Sequence, residues 1–117
     1  MTIYRIIVTE GAEAEIQDVF LNLLLRSPEA AGRFQKGMDA AILSLSQMPA
    51  RCPTARENGM IDRPIRQLIY HHSKSIYRII FTVFEESEDA PAFVRILRIR
   101  HGAQEVLGSQ ADQLEDE

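Results

Sequence analysis

Three apolar segments follow one another closely in the second half of the sequence, and they constrain the fold more than any other feature. They span 64–72, 75–85 and 92–101, and only "SKS" and the polar turn "ESEDAP" separate them. Apolar segments bounded by turn residues predict β-strands. Strands in series with such short links pair in opposite directions, so the sequence predicts an antiparallel meander.

The first part of the sequence predicts a strand and then a helix. The segment "TIYRIIVT" (2–9) is short and rich in β-branched residues, which favours a strand. From Ala12 to about Arg26 the apolar residues recur at three and four positions, which is typical of a helix with one buried face. The polar residues Glu13, Glu15 and Gln17 lie largely off this apolar stripe.

A second helix follows directly. Ser27 is a candidate N-cap and Pro28 fits the first helical position; we expect this helix to end at Pro49 and a loop to occupy 49–63. Two helices joined by so short a link must lie antiparallel. The predicted fold class is therefore α+β: a two-layer β-α-α-β-β-β arrangement, in which a helical hairpin covers one face of an antiparallel sheet and the first strand joins an edge.

Length and charge indicate a single domain with an acidic tail. The 117 residues are enough for one two-layer core, and we expect the domain to span 1–105. After His101 the chain carries five acidic residues and no Lys or Arg, so we expect 106–117 to be a flexible tail. The net charge of −4 is unlike that of strongly basic nucleic-acid-binding proteins.

The sequence indicates a cytoplasmic protein that does not contact a membrane. No apolar run approaches the roughly 18 residues that a membrane-spanning helix needs. The N-terminus lacks the pattern of a secretory signal, and the lone Cys52 allows no internal disulfide. Both observations favour a reducing compartment.

The middle strand of the meander carries an arginine among apolar residues. Tyr77, Ile79, Phe81 and Val83 share one face by alternation, and this apolar face should meet the helices. Arg78 then projects from the face that the helices leave uncovered. It is either a solvated arginine lying along apolar neighbours or part of a functional site.

The last strand also combines apolar and basic residues. By alternation, one side carries Val94, Ile96, Arg98 and Arg100, and the other carries Phe93, Arg95, Leu97, Ile99 and His101. If Phe93, Leu97 and Ile99 pack inward, Arg98 and Arg100 join Arg78, whereas His101 at the strand end could turn either way.

Such a cluster could support two kinds of chemistry. Arginines with a nearby imidazole can hold phosphates and move protons near neutral pH. Arginines can equally bind the carboxylates of a protein partner. We take Arg66, Arg98 and Arg100 as the candidate binding residues for a phosphate or a partner carboxylate.

Other signals for chemistry are weak. His71 and His72 are adjacent on a strand and should point to opposite faces, so they cannot chelate one metal. We find no glycine-rich phosphate loop and no serine in the context of a nucleophile elbow. The sequence therefore predicts neither a metal nor a cofactor.

Several segments together resemble the RelE/ParE superfamily of toxins from type II toxin–antitoxin modules. These are "AILSLSQMP" at the end of the second helix, "IRQL" opening the next strand, "YRIIF" in the middle strand and "RILRIRHG" closing the sheet. The resemblance covers about Ile3 to Glu105. It implies the β-α-α-β-β-β fold and a growth inhibitor that a cognate antitoxin holds inactive in a hetero-oligomer.

The resemblance leaves two functional hypotheses. In the RelE branch, which cleaves mRNA on the ribosome, the arginine of the "YRI" strand and a histidine closing the last strand can lie in the active site. These positions match Arg78 and His101, which would be the catalytic residues if the chain is RelE-like. The long helical hairpin and the "HG" ending are more similar to the ParE branch, whose studied members act on DNA gyrase without being nucleases.

Overall fold

The computed structural model describes residues 1–102 and confirms the predicted α+β class. The elements are β1 (Arg5–Val8), α1 (Glu10–Arg26), α2 (Pro28–Ser44), a 3₁₀ turn (Pro49–Arg51), β2 (Ile65–His72), β3 (Ser75–Phe84) and β4 (Phe93–His101). The predicted acidic tail, 106–117, lies outside the described residues.

The two helices are capped by side chains at their N-termini. The Thr9 hydroxyl accepts a hydrogen bond from the backbone N–H of Ala12 at 3.2 Å, so α1 begins slightly before the predicted Ala12. Ser27 is the predicted N-cap of α2, and it also ends α1. Neither helix, nor any other within residues 1–102, is long and apolar enough to cross a membrane.

The second helix is shorter than predicted. It ends at Ser44 rather than at Pro49, because the backbone N–H of Leu45 bonds to the carbonyl of Ile42 at 3.0 Å and tightens the last turn. The chain then passes through a left-handed Met48 into the short 3₁₀ turn that begins at Pro49.

The four strands form one sheet in the order β1-β4-β3-β2. The three C-terminal strands pair as the predicted antiparallel meander, and β1 joins its edge as expected. However, β1 runs parallel to β4, so the sheet is mixed rather than wholly antiparallel. Parallel neighbours need a long connection between them, and the helices and the two intervening strands provide it.

A β-bulge interrupts β4. Ile80 pairs with Arg98 but Phe81 pairs with Ile96, so Leu97 is the extra residue. The strict alternation predicted for this strand is therefore wrong. Ile96 and Ile99 both pack in the core beneath the helices, together with Val94, whereas Leu97 packs on the opposite face.

The main core lies between the helices and the sheet. The apolar face of β3 meets the helices as predicted, through Tyr77, Ile79, Phe81 and Val83. Helix α2 contributes Phe34, Met38 and Ile42. Helix α2 needs a glycine at position 37, because a Cβ atom at this residue would collide with the hydroxyl end of Tyr70.

The helical hairpin covers one face of the sheet as predicted, but the other face is not open. The chain between Cys52 and Ile65 runs along β2, where the backbone N–H of Gln67 bonds to the carbonyl of Pro53 at 3.0 Å. Ala55 from this segment packs with Ile65, Ile80 and Leu97 in a second small core. The loop therefore buries the centre of the face that the helices leave uncovered.

Candidate functional site

Arg78 lies under this loop rather than in solvent. The residue is 3% exposed, so the expectation of a solvated arginine is wrong. Its guanidinium donates to both carboxylate oxygens of Glu57, at 3.1 Å and 2.9 Å, and to the side-chain oxygen of Gln67 at 3.0 Å. A bidentate pair of this kind holds the loop to the middle strand.

The charge state of Glu57 depends on this pair. Burial opposes ionisation of the carboxyl group, but the hydrogen bonds and the positive charge of Arg78 outweigh burial, and the pKa of Glu57 lies below its usual value. Glu57 is therefore an anion at neutral pH, and its charge is directed at Arg78.

Arg98 and Arg100 lie on the same face of the sheet as Arg78. Arg100 is paired directly with Arg78 across the strands, and Arg98 is two pairs further along, opposite Ile80. Both arginines contact the carboxylate of Glu15 on α1: Arg98 donates at 2.6 Å and Arg100 at 3.2 Å. We call these three arginines, with Glu15 and Glu57, the arginine cluster.

Glu15 also closes an edge of the sheet. Because β1 pairs with β4 only as far as Ile96, the outer edge of β4 is exposed beyond that point. The carboxylate of Glu15 accepts a hydrogen bond from the backbone N–H of Ile99 at 2.7 Å, and the hydroxyl of Thr9 lies 2.9 Å from the carbonyl of Ile96. The start of α1 thus replaces the missing strand.

The cluster is partly buried and electrostatically crowded. Burial lowers the pKa of Arg100, and the neighbouring charge of Arg98 lowers it further, while Glu15 opposes both effects. The side chain of Arg100 is 16% exposed, whereas that of Arg98 is 31% exposed. Arg98 is therefore the more accessible of the two arginines that contact Glu15.

Arg66 does not belong to this group. It is paired with Phe81, which faces the helices, so Arg66 lies on the other face of the sheet from Arg78. Its guanidinium donates to the carbonyl of Cys52 at 2.7 Å. Burial raises the pKa of the Cys52 thiol against the lowering effect of Arg51 and Arg66, which makes this cysteine a poor nucleophile.

His101 also lies on the helix side of the sheet. It is paired with Tyr77, and the two rings stack with their centroids 5.1 Å apart and an interplanar angle of 23°. Because neighbouring side chains along β3 alternate, Tyr77 and Arg78 point to opposite faces. The structure therefore separates Arg78 from His101 by the sheet itself and does not bring them to one phosphate.

A comparison with protein-family models identifies the family to which this chain is related. The model described as "ParE toxin of type II toxin-antitoxin system, parDE" matches residues 6–106. The chain belongs to the ParE toxin family. No curated protein matches the sequence significantly.

Toxins of the ParE family pair with a cognate antitoxin. In this ParE family member Arg78, Arg98 and Arg100 are paired with glutamates of the same chain. No group of three His, Cys, Asp or Glu side chains within residues 1–102 could hold a metal ion. The arginine cluster can therefore bind anions only through the exposed part of its surface.

Neither glutamate of the arginine cluster was predicted from the sequence. Glu15 lies largely off the apolar stripe of α1, and Glu57 lies in a segment without periodicity. One signal was available for Glu57: a buried arginine requires a carboxylate partner, and the loop before β2 contains two acidic residues, Glu57 and Asp62. No local signal indicated Glu15.

Proposed function

We propose that this ParE family member arrests growth by binding a protein target, that it does not cleave RNA, and that a cognate antitoxin keeps it inactive in a hetero-oligomer. The observation that carries this proposal is the separation of Arg78 and His101. A nuclease that used both would need them on one phosphate, but they lie on opposite faces of the sheet.

The pairing of Arg78 supports the same conclusion. Its guanidinium is directed at Glu57, and the residue is 3% exposed. Stabilising a scissile phosphate would require the loop to lift and the Glu57 carboxylate to be displaced. Arg78 therefore serves the fold, and the RelE-like alternative loses the cation that its chemistry would require.

Exposed apolar residues offer surfaces for the antitoxin. One group lies at the C-terminal end of α1 and comprises Leu21, Leu24 and Leu25, of which Leu25 is 86% exposed. A second group lies at the end of α2 and comprises Leu43 and Met48. An antitoxin segment that folds on contact would cover such patches.

DNA gyrase is the target that we propose for the free toxin. This part of the proposal rests on the resemblance to the ParE branch, whose studied members act on gyrase. Of the predicted binding residues, Arg98 is the most suited to a partner carboxylate, because 31% of its side chain is exposed at the surface of the arginine cluster. The side chain of Arg100 is only 16% exposed, and the guanidinium of Arg66 already donates to the carbonyl of Cys52 at 2.7 Å.

Expression of the toxin alone in a bacterial host tests the proposal. We expect growth arrest with a DNA-damage response and intact transcripts, and we expect co-expression of the adjacent antitoxin gene to restore growth. The same experiment with His101→Ala and with Leu25→Ser, at matched expression levels, separates the two hypotheses. Under the binding hypothesis His101→Ala leaves transcripts as intact as in the parent, and Leu25→Ser weakens neutralisation by the antitoxin.

Two results would overturn the proposal. Cleaved transcripts in cells expressing the parent, with cleavage lost in a folded His101→Ala variant, would favour the nuclease. Failure of the chain to arrest growth, together with failure to bind any product of an adjacent gene, would refute the toxin assignment itself.

A further inference from the structure

A cleft lined by both polar and apolar side chains lies at the end of the molecule where the link between the helices meets the β2–β3 turn. Its volume is about 600 Å³, and its rim carries three cationic side chains: Arg26 at the end of α1, Arg33 on α2 and Lys74 in the turn. Among the described residues that line the cleft, none is Asp or Glu. We call it the hairpin cleft.

The three cations of the hairpin cleft are not balanced by the surrounding fold. Within residues 1–102, none of Arg26, Arg33 and Lys74 takes part in an ion pair. One nearby carboxylate weakens the positive potential: that of Glu29, which lies 3.4 Å from the hydroxyl of Ser27 at the start of α2. The rim nevertheless keeps an excess of positive charge, which favours an anionic ligand.

The floor of the hairpin cleft is aromatic. It contains the rings of His72, Tyr77 and His101, with aliphatic side chains beside them, and the rings of Tyr77 and His101 are stacked 5.1 Å apart. The Nε2 atom of His101 is buried and makes no hydrogen bond with any residue in the described part of the chain. A buried nitrogen without a partner is uncommon in a folded protein, and here it belongs to a ring that lines the cleft.

These features together select the chemical class of the ligand. Cationic side chains with serine hydroxyls beside them suit a phosphate group. An aromatic floor suits a planar ring, because bases stack on aromatic side chains. A volume of about 600 Å³ lies within the usual range for a small-molecule site.

We propose that the hairpin cleft binds a mononucleotide, with the phosphate at the cationic rim and the base against the aromatic floor. His101 then has a role in binding that requires neither cleavage chemistry nor Arg78. The proposal goes beyond the toxin activity proposed above and does not depend on it, because nucleotide binding can be measured on the purified chain without an antitoxin, gyrase or a ribosome.

Calorimetric titration of the full chain at low ionic strength tests the proposal, with adenosine monophosphate, inorganic phosphate, ribose 5-phosphate and adenosine as separate probes. We expect adenosine monophosphate to bind about tenfold or more tightly than either inorganic phosphate or adenosine, because only it reaches both the rim and the floor. We also expect the ring resonances of Tyr77 and His101 to shift in nuclear magnetic resonance spectra as it binds.

Matched variants locate the binding. Arg33→Gln and Lys74→Gln change exposed side chains at the rim, so both should fold as the parent does and should weaken binding of adenosine monophosphate about tenfold. Lys36→Gln is the control, because Lys36 is exposed on the same helix as Arg33 but does not line the cleft. Its affinity should equal that of the parent.

Several outcomes would overturn the proposal. Equal affinity for inorganic phosphate and adenosine monophosphate would indicate a general anionic attraction, and equal losses in Arg33→Gln and Lys36→Gln would indicate a site elsewhere. Binding only after the five acids that follow His101 are changed to amides in the full chain would mean that the tail, not a nucleotide, is the ligand of the cleft. Absence of binding in both the parent and the amide variant would exclude a nucleotide site.

Discussion

The arginine cluster and the hairpin cleft each contain three cationic side chains, but they treat them differently. In the cluster, Glu15 from α1 and Glu57 from the loop lie against the three arginines, so each arginine contacts a carboxylate of the same chain. In the cleft, no carboxylate is among the described lining residues. Cations that contact carboxylates of the same chain hold the fold together. Cations that contact no carboxylate within residues 1–102 are available for a ligand.

The strongest way to break this comparison is to remove Arg78. We expect Arg78→Ala to lower the free energy of unfolding by about 3 kcal/mol or more, because it leaves the Glu57 carboxylate, 11% exposed, without its cation. Chemical denaturation measures the loss. Arg95→Ala, at an exposed position on β4, is the control and should cost less than about 1 kcal/mol. Similar losses in the two variants would show that Arg78 is not structural.

Removing Glu15 should have a smaller effect. Glu15→Ala leaves the N–H of Ile99 without its acceptor and the guanidinium groups of Arg98 and Arg100 without a shared anion. We expect a loss of about 2 kcal/mol, since the site is partly exposed and water can replace some of the contacts. Asp18→Ala, at an exposed position of the same helix, should change stability by less than about 0.5 kcal/mol. A loss no larger than this control would contradict the role given to Glu15.

The pH dependence of stability sharpens the comparison further. The pKa of Glu57 is lower in the folded chain than in the unfolded chain, so the unfolded state binds more protons between the two values. The stabilisation is therefore complete above the unfolded pKa and is lost as the pH falls through the folded pKa.

Unfolding measurements from neutral to acidic pH, on the parent and on Glu57→Gln, test this dependence. The stability difference between the two should shrink as the pH falls, because protonation makes Glu57 neutral like the amide. A difference that stays constant across this range would mean that the Glu57 charge does not contribute.

Local patterns predicted much of the fold. Ser27 and Pro28 marked the start of α2 because capping depends on neighbours in sequence. The alternation in β3 placed Tyr77 and Phe81 against the helices, and the short links predicted the order of the last three strands. These features depend on residues close together in the chain, so they could be predicted from the sequence alone.

The surroundings of the candidate site residues depend on residues that are distant in sequence, so they could not be predicted in the same way. The bulge at Leu97 shifts the alternation of β4, so that Ile96 before it and Ile99 after it both face the helices, and no local pattern marked it. Glu57 is 21 residues from Arg78 in sequence, and Glu15 is 83 residues from Arg98. The partners of the arginines therefore became visible only when the fold brought these segments together.

The most direct test of the central claim replaces the buried pair with apolar residues in one chain, Arg78→Met together with Glu57→Leu. Removing both charges leaves neither unpaired, so we expect a folded protein whose stability lies within about 1 kcal/mol of the parent. Growth arrest on induction is the measurement. We predict arrest equal to that of the parent, with intact transcripts, because Arg78 serves the fold alone. A double variant that folds and binds its antitoxin but no longer arrests growth would contradict the account.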